Sequence, residues 1–324
     1  MQLINKNSLS QAADCLRAGG LVAFPTETVY GLGANALDAV AVAKIFEAKK
    51  RPSFDPLIVH IAEKKQLETL FAHPIDPLVF RLADCFMPGP LTIVYKKADI
   101  IPSIVTSGLG NVAVRMPSHP VANELIRLAK VPVAAPSANL FGQLSPTSYR
   151  HVVKQKMEID YLIAEDDCEQ KAGIESTVVL VQQNKCIILR PGIITAADIK
   201  EKLPDVDVET ASKNTEISSP GLLNSHYSPT KPLYFFDDNT KLPPSSGLIL
   251  HRDTTLTFNA KRIIYSSHSG NLLETAANLF ESLHQMEDDP QITQIYIQPT
   301  EKQGIGISIM DRLEKAAFRF LSEL

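Results

Sequence analysis

The stretch that most constrains this chain is Leu21-Val-Ala-Phe-Pro-Thr-Glu-Thr-Val-Tyr-Gly-Leu-Gly-Ala-Asn-Ala36. Its four leading apolar residues predict a short buried strand that stops at Pro25, because proline cannot donate to a sheet ladder. Thr26, Glu27 and Thr28 then make a polar turn, Gly31 and Gly33 supply a permissive segment, and a helical pattern begins past Asn35. Open α/β sheets place ligand-binding groups at the carboxyl ends of their strands in this order. A connection that only reversed the chain would not need so many polar side chains. The competing structural reading is a well-capped β–α connection.

Composition narrows the class. With 324 residues, 44% hydrophobic and 21% charged, the chain can bury a sizeable core and has room for two domains. Its formal net charge of −4 gives no global basic field for nucleic acid, so any anion site has to be built locally. Cys15, Cys85, Cys168 and Cys186 are scattered without a C-x-x-C pair, which argues against a disulfide framework and a zinc site and suits a reducing cytosol. Residues 1–6 lack the apolar core of a signal peptide, and no apolar run is long enough to span a bilayer. The expectation is a cytoplasmic protein with no membrane association.

Residues 8–11 resemble a helix-capping box, and the helical pattern after them stops at Gly19-Gly20. Asp38 caps a second helix through Lys50, which Arg51-Pro52 ends. Apolar runs at 57–61, 91–95, 111–117, 131–136, 176–181 and 186–190 read as strands, with a helix between about His119 and Lys130. The alternation is irregular, so residues 1–203 are expected to form an α/β domain on a twisted mixed sheet with helices. Residues 204–232 are rich in Asp, Ser, Thr, Asn and Pro and read as a linker, although their middle carries His226 and Tyr227 between two prolines. Beyond them, residues 233–324 run β–α–β–α, the pattern of a small Rossmann-like α/β domain with a parallel sheet. Gly304 and Gly306 do not belong to a G-x-G-x-x-G after a strand, so dinucleotide binding is not supported.

The candidate chemistry is anion recognition. Lys49, Lys50 and Arg51 close a helix just before a proline, either as cations at the helix C-terminus or as a phosphate clamp. Arg115 and Arg190 each end an apolar strand. Arginine is rarely left there without an anion, which is Glu27, Glu175, or the carboxylate or phosphate of a ligand. The scarcity of nearby acids favours the ligand. Thr26, Thr28, Ser137, Ser145, Ser176 and Thr177 cluster as hydroxyls, each also a plausible cap or turn residue. His60, alone in an apolar strand, reads on general grounds as a core histidine. There is no G-x-S-x-G elbow, no evident Ser–His–Asp set and no Walker loop, so a covalent serine enzyme is not expected.

These segments resemble the YrdC-like family, in the long form that carries a C-terminal extension. The resemblance runs through residues 25–33, Lys49-Lys-Arg-Pro52 with Pro56-Leu-Ile-Val-His60, and Pro88-Gly-Pro-Leu-Thr92. It continues through Val112-Ala-Val-Arg-Met-Pro117, Ala135-Pro-Ser-Ala-Asn139, Glu175-Ser-Thr-Val178, Leu189-Arg-Pro-Gly192, Ser219-Pro-Gly221 with His226-Tyr227, and residues 309–317. Coverage is essentially full length. The family implies a nucleotidyltransferase that joins L-threonine, bicarbonate and ATP into threonylcarbamoyl-AMP and releases pyrophosphate. The product feeds a transfer complex that makes N6-threonylcarbamoyladenosine in tRNA. On the family's pattern Thr28, His60, Arg115, Ala135 and Ser176 hold threonine, with Arg115 on its carboxylate. Lys49, Arg51, Asp55, Asn111, Ser137, Ser145 and Arg190 line the ATP site, with Lys49 and Arg51 in the electrostatic role. Tyr227, with His226, reaches over from the linker as a lid. Mg²⁺ is implied with the ATP phosphates and not as a protein-bound ion. This chain departs from the pattern at Lys50, where glycine is common, and at Asp55, where asparagine is common.

Three other readings compete. An RNA-binding module is disfavoured by the acidic net charge and by the absence of aromatic-flanked basic runs, so tRNA contact is expected to be weak. The carbamoyl-transfer chemistry of hydrogenase maturation would bring zinc-finger-like segments, and no C-x-x-C is present. A nucleotide sensor without chemistry is the third.

Overall fold

The computed structural model describes residues 1–165, 172–211, 227–237 and 240–321. The chain divides into two compact units. The first comprises Met1–Phe141, Pro146–Lys171 and Glu175–Leu222, and the second Gly142–Ser145, Ala172–Ile174 and Leu223–Leu324.

The first unit is built on strands β1 (Gln2–Ile4), β2 (Val22–Phe24), β3 (Gly31–Asn35), β4 (Ile58–His60), β5 (Leu91–Lys96), β6 (Asn111–Arg115), β7 (Val133–Ala134), β8 (Tyr161–Ile163), β9 (Thr177–Gln182), β10 (Lys185–Arg190) and β11 (Asp207–Thr210). They hydrogen-bond in the order β1-β8-β2-β3-β7-β4-β6-β5-β9-β10-β11, with parallel and antiparallel pairs mixed. Helices α1 (Leu9–Arg17), α2 (Ala39–Lys49), α3 (Leu67–Leu70), α4 (Pro77–Phe86), α5 (Pro120–Ala129), α6 (Tyr149–Lys154) and α7 (Ala196–Lys202) complete it. The mixed sheet agrees with the expected fold class. A large cluster that includes Leu32, Val42, Ile45, Val59, Leu91, Val114 and Val179 forms its main core. A second, with Leu16, Phe24, Leu125 and Ile163, lies between α1, α5 and the sheet.

Local chemistry explains the boundaries. The Asp38 side chain accepts from the N–H groups of Val40 and Ala41, and Lys50 ends α2 in the left-handed region at φ 51°. Residues 31–35 differ from expectation: the glycine segment is itself a strand, pairing antiparallel with β2 through Val22↔Gly33 and Phe24↔Gly31. The polar turn is therefore the head of a hairpin and not a β–α connection. Thr26 Oγ accepts from the N–H groups of Thr28 and Val29 and donates to the Val29 carbonyl, closing the turn with one side chain. Gly33 lets the strands pack closely, because a Cβ there would sit 2.7 Å from Phe24 Cε1 and 2.8 Å from Val133 Cγ1. The polar segment after residue 204 also behaves differently at its start. Asp207–Thr210 adds β11 in parallel to β10 at the sheet edge, with Val206 and Val208 packed on the main core.

The second unit holds a four-stranded, all-parallel sheet of β12 (Leu233–Phe235), β13 (Ser246–Leu250), β14 (Arg262–Tyr265) and β15 (Gln294–Ile297), in the order β12-β15-β13-β14. Helices α8 (Leu272–Asp288) and α9 (Gly306–Leu321) belong to it, α8 capped by Asn271. The parallel sheet matches the expectation for this part of the chain. Among the described residues, no helix is long and apolar enough to cross a membrane.

Candidate active site

Sheet register assembles the centre of the site. β4, β6 and β5 lie side by side, with His60 opposite Arg115 and Arg115 opposite Thr92. Residues in register project from the same face, so an imidazole, a guanidinium and a hydroxyl stand in one row. The hairpin head closes on this row. Arg115 Nη1 donates to Thr28 Oγ at 2.9 Å, Nη2 lies 2.7 Å from Glu27 Oε1, and Nε donates to the Gly89 carbonyl at 3.3 Å. Arg115 is only 4% exposed. Its internal anion is thus Glu27, one of the two acids the sequence offered. Burial pushes the Glu27 carboxyl up, but the Arg115 guanidinium outweighs that and holds it below the usual carboxylate range.

His60 Nδ1 lies 3.2 Å from the Ile58 carbonyl, and the ring meets Phe24 edge-on. Burial, reinforced by the neighbouring Arg115 charge, depresses its pKa to about 3, so the ring is neutral near pH 7. Ala135, just past β7, donates its N–H to the Ile58 carbonyl at 2.9 Å and is buried. Ser176 immediately precedes β9; its hydroxyl lies 2.7 Å from Thr92 Oγ. Arg190, at the end of β10, reaches back to the Ser176 carbonyl at 2.9 and 3.2 Å. Thr28, His60, Arg115, Ala135 and Ser176 are therefore all buried in the first unit and joined through β4, β6, β5 and the hairpin, and Arg190 bonds to Ser176.

The basic motif is bonded more internally than its sequence suggests. Lys49 is 1% exposed and donates from Nζ to the carbonyls of Ser137, at 2.6 Å, and Asn139. Burial and then the Arg51 charge hold its ammonium well below the ordinary lysine range. Arg51 pairs with Asp55 at 2.8 Å and donates to the carbonyls of Asp55 and Pro56. Asp55 is thus matched to a cation of its own motif, which explains how a carboxylate is accommodated at this position. Lys49 ties down the 137–139 loop.

Asn111 does not stand on the Arg115 row. Asn111 starts β6 opposite Lys96, roughly 13 Å along the strand from Arg115 at about 3.3 Å per residue. Ser145 and Tyr227 belong to the second unit. There the Ser145 carbonyl accepts from His284 Nε2 at 3.0 Å. Tyr227, 1% exposed at φ 62°, packs on Phe280 with Arg312 over its ring. His226 lies outside the described residues. Sequence reasoning missed Thr92 as a site residue, although Pro88-Gly-Pro-Leu-Thr92 stood out as a motif and register alone aims Thr92 beside Arg115. Among the described residues, no group of three or more His, Cys, Asp or Glu could hold a metal ion.

A twisted mixed sheet whose buried arginines and hydroxyls converge on one face defines a class: an α/β protein that holds small anionic ligands by charge and positioning. Residues 14–192 match the Sua5, YciO and YrdC family, described as "Telomere recombination", and residues 194–318 match "Threonylcarbamoyl-AMP synthase, C-terminal domain". The chain belongs to the Sua5, YciO and YrdC family. It is 38% identical over 321 residues to a threonylcarbamoyl-AMP synthase of Pyrococcus abyssi, covering 94% of this chain and 93% of that protein. It is also 38% identical over 329 residues to one of Bacillus subtilis, covering 97% and 94%. The crystal structure of P. abyssi Sua5 complexed with L-threonine superposes with a TM-score of 0.86 at 35% identity, covering 98% of each chain.

Proposed function

We infer that this protein is a threonylcarbamoyl-AMP synthase, condensing L-threonine, bicarbonate or CO₂ and ATP and releasing pyrophosphate. The observation that carries the reading is the buried row His60–Arg115–Thr92 with Thr28 and Ser176 against it, in a chain whose full-length relatives carry that name. The threonine amine attacks bicarbonate with loss of water, or CO₂ with loss of a proton, to give a carbamate. A carbamate oxygen then attacks the α-phosphorus of ATP, and pyrophosphate leaves. The substrate supplies the nucleophile, so the protein's task is orientation and charge neutralisation.

Arg115 is the group for the threonine carboxylate: a guanidinium has five N–H donors, and Glu27, Thr28 and Gly89 engage one on each nitrogen. Glu27 fixes the guanidinium in place. His60 stays neutral beside it and adds no second charge. Thr28, Ala135 and Ser176 complete the threonine set. Lys49, Arg51, Asp55, Asn111, Ser137, Ser145, Arg190 and Tyr227 are assigned to ATP. Arg190 is best supported, through its bonds to Ser176. Mg²⁺ accompanies the ATP phosphates. The product passes to a tRNA threonylcarbamoyl-transfer complex, and the setting is cytoplasmic.

Pyrophosphate release from ATP, measured with and without L-threonine and bicarbonate in the presence of Mg²⁺, tests the reading. Release that needs both supports it. Nucleotide binding without release overturns it, and salt-dependent tRNA affinity in that case makes the chain an RNA-binding module.

A further inference from the structure

The Ser176 hydroxyl meets two partners inside the first unit. Thr92 Oγ lies 2.7 Å away. Arg190 Nη2 donates to the same oxygen at 3.2 Å while also holding the Ser176 carbonyl. Both Thr92 and Ser176 are 0% exposed, and Thr92 stands in register with Arg115.

A hydroxyl has one proton to give and two lone pairs with which to accept. Arg190 can only donate, so it fills one lone pair of Ser176. If Ser176 donated to Thr92, serine would have no proton left for a ligand. If Thr92 donates instead, both lone pairs are filled and the serine proton points away from its protein partners. Two guanidinium groups, Arg115 beside Thr92 and Arg190 on Ser176, attract a ligand oxyanion. An oxyanion seated against Ser176 stabilises the arrangement in which Thr92 donates to Ser176 and Ser176 donates to the ligand.

We propose that Thr92 is a positioning residue whose hydrogen bond to Ser176 turns the serine hydroxyl into a donor for an anionic oxygen of the bound threonine or its carbamate. This rests on the threonylcarbamoyl-AMP reading above and assigns the polarity of one of its contacts.

Thr92→Val keeps the shape and removes the hydroxyl, whereas Thr92→Ser keeps the hydroxyl. Thr92→Val is expected to lower kcat/KM for L-threonine roughly 10- to 100-fold, the loss of one hydrogen bond to a charged group. Thr92→Ser stays within about threefold of the parent, well under the tenfold that one such bond represents. Because Thr92 acts through Ser176, adding Thr92→Val to Ser176→Ala changes nothing further, whereas a merely structural role would add its loss in both backgrounds. If thermal unfolding shows that Thr92→Val does not fold, Thr92→Cys, a similar volume with a weak donor, carries the same comparison. Additive losses, or a Thr92→Ser variant as impaired as Thr92→Val, overturn the proposal and leave the synthase reading intact. A parent chain without threonine-dependent pyrophosphate release overturns both.

Discussion

Arg115 is a buried cation whose partner, Glu27, is equally buried. Removing one member of such a pair leaves an uncompensated charge, which typically costs about 3–5 kcal/mol. Arg115→Met is therefore expected to destabilise the fold by that amount in urea unfolding and to abolish L-threonine binding by calorimetry. Adding Glu27→Gln should recover most of the stability and none of the binding. Equal stability of the single and double variants would show that the two charges are not coupled. At this scale much was legible in the sequence: Arg115 at the end of an apolar strand announced a buried charge, and Glu27 was one of two acids in reach. The choice of Glu27 over Glu175 was not legible, because it depends on β2 and β3 folding the hairpin head over β6. His60 was half-legible. Its core environment was visible in its neighbours, but its place beside Arg115 comes from pairing between strands far apart in sequence.

Elements show where pattern and packing part company. Glycines 31 and 33 read as a permissive segment in sequence, yet both are strand residues, and Gly33 sits where the neighbours leave no room for a Cβ. Gly33→Ala is expected to destabilise by about 1–3 kcal/mol, since the added methyl overlaps Phe24 and Val133 within a filled core. An unchanged unfolding midpoint would contradict that packing. Helix α8 was readable from its period, but its service to distant segments was not. Its Phe280 and His284 lie one turn apart and hold Tyr227 and the Ser145 carbonyl respectively. A carbonyl can only accept, so His284 carries its proton on Nε2. His284→Ala removes this buried hydrogen bond and should lower stability by about 1–3 kcal/mol, with His284→Gln, which retains a donor, closer to the parent. Equal losses for the two variants in denaturant titrations would indicate that packing, not the hydrogen bond, is what His284 contributes. Strand β11 was not picked out in the sequence, because its short alternation, with Val206 and Val208 between acidic residues, sits inside a segment otherwise rich in Asp, Ser, Thr, Asn and Pro.

Across the whole molecule, burial has made several histidines poor bases. Burial depresses His60 to about 3 and His251 to about 4, and it lowers His119 and His284 as well. Both units are involved, since His60 and His119 lie in the first and His251 and His284 in the second. An unfolded histidine takes up its proton near 6.5, whereas His60 in the folded protein resists until about 3. Between those values the unfolded chain binds more protons than the native one, so stability rises with pH across the window and is lost as pH falls through it. The contribution is fully present above 6.5. At one pKa unit per about 1.4 kcal/mol, lowering the pH to about 5 removes roughly 2 kcal/mol for each of His60 and His251. Glu27, lowered by Arg115, adds to the same loss only at more acidic pH, as the solution passes below the ordinary glutamate value of 4.5. Urea midpoints are therefore expected to fall steadily from pH 7 to pH 5, before most carboxylates titrate. His60→Gln should flatten that slope while keeping a polar side chain near the Ile58 carbonyl. A parent protein with the same midpoint at pH 7 and pH 5 would mean that these rings are not held neutral by the fold.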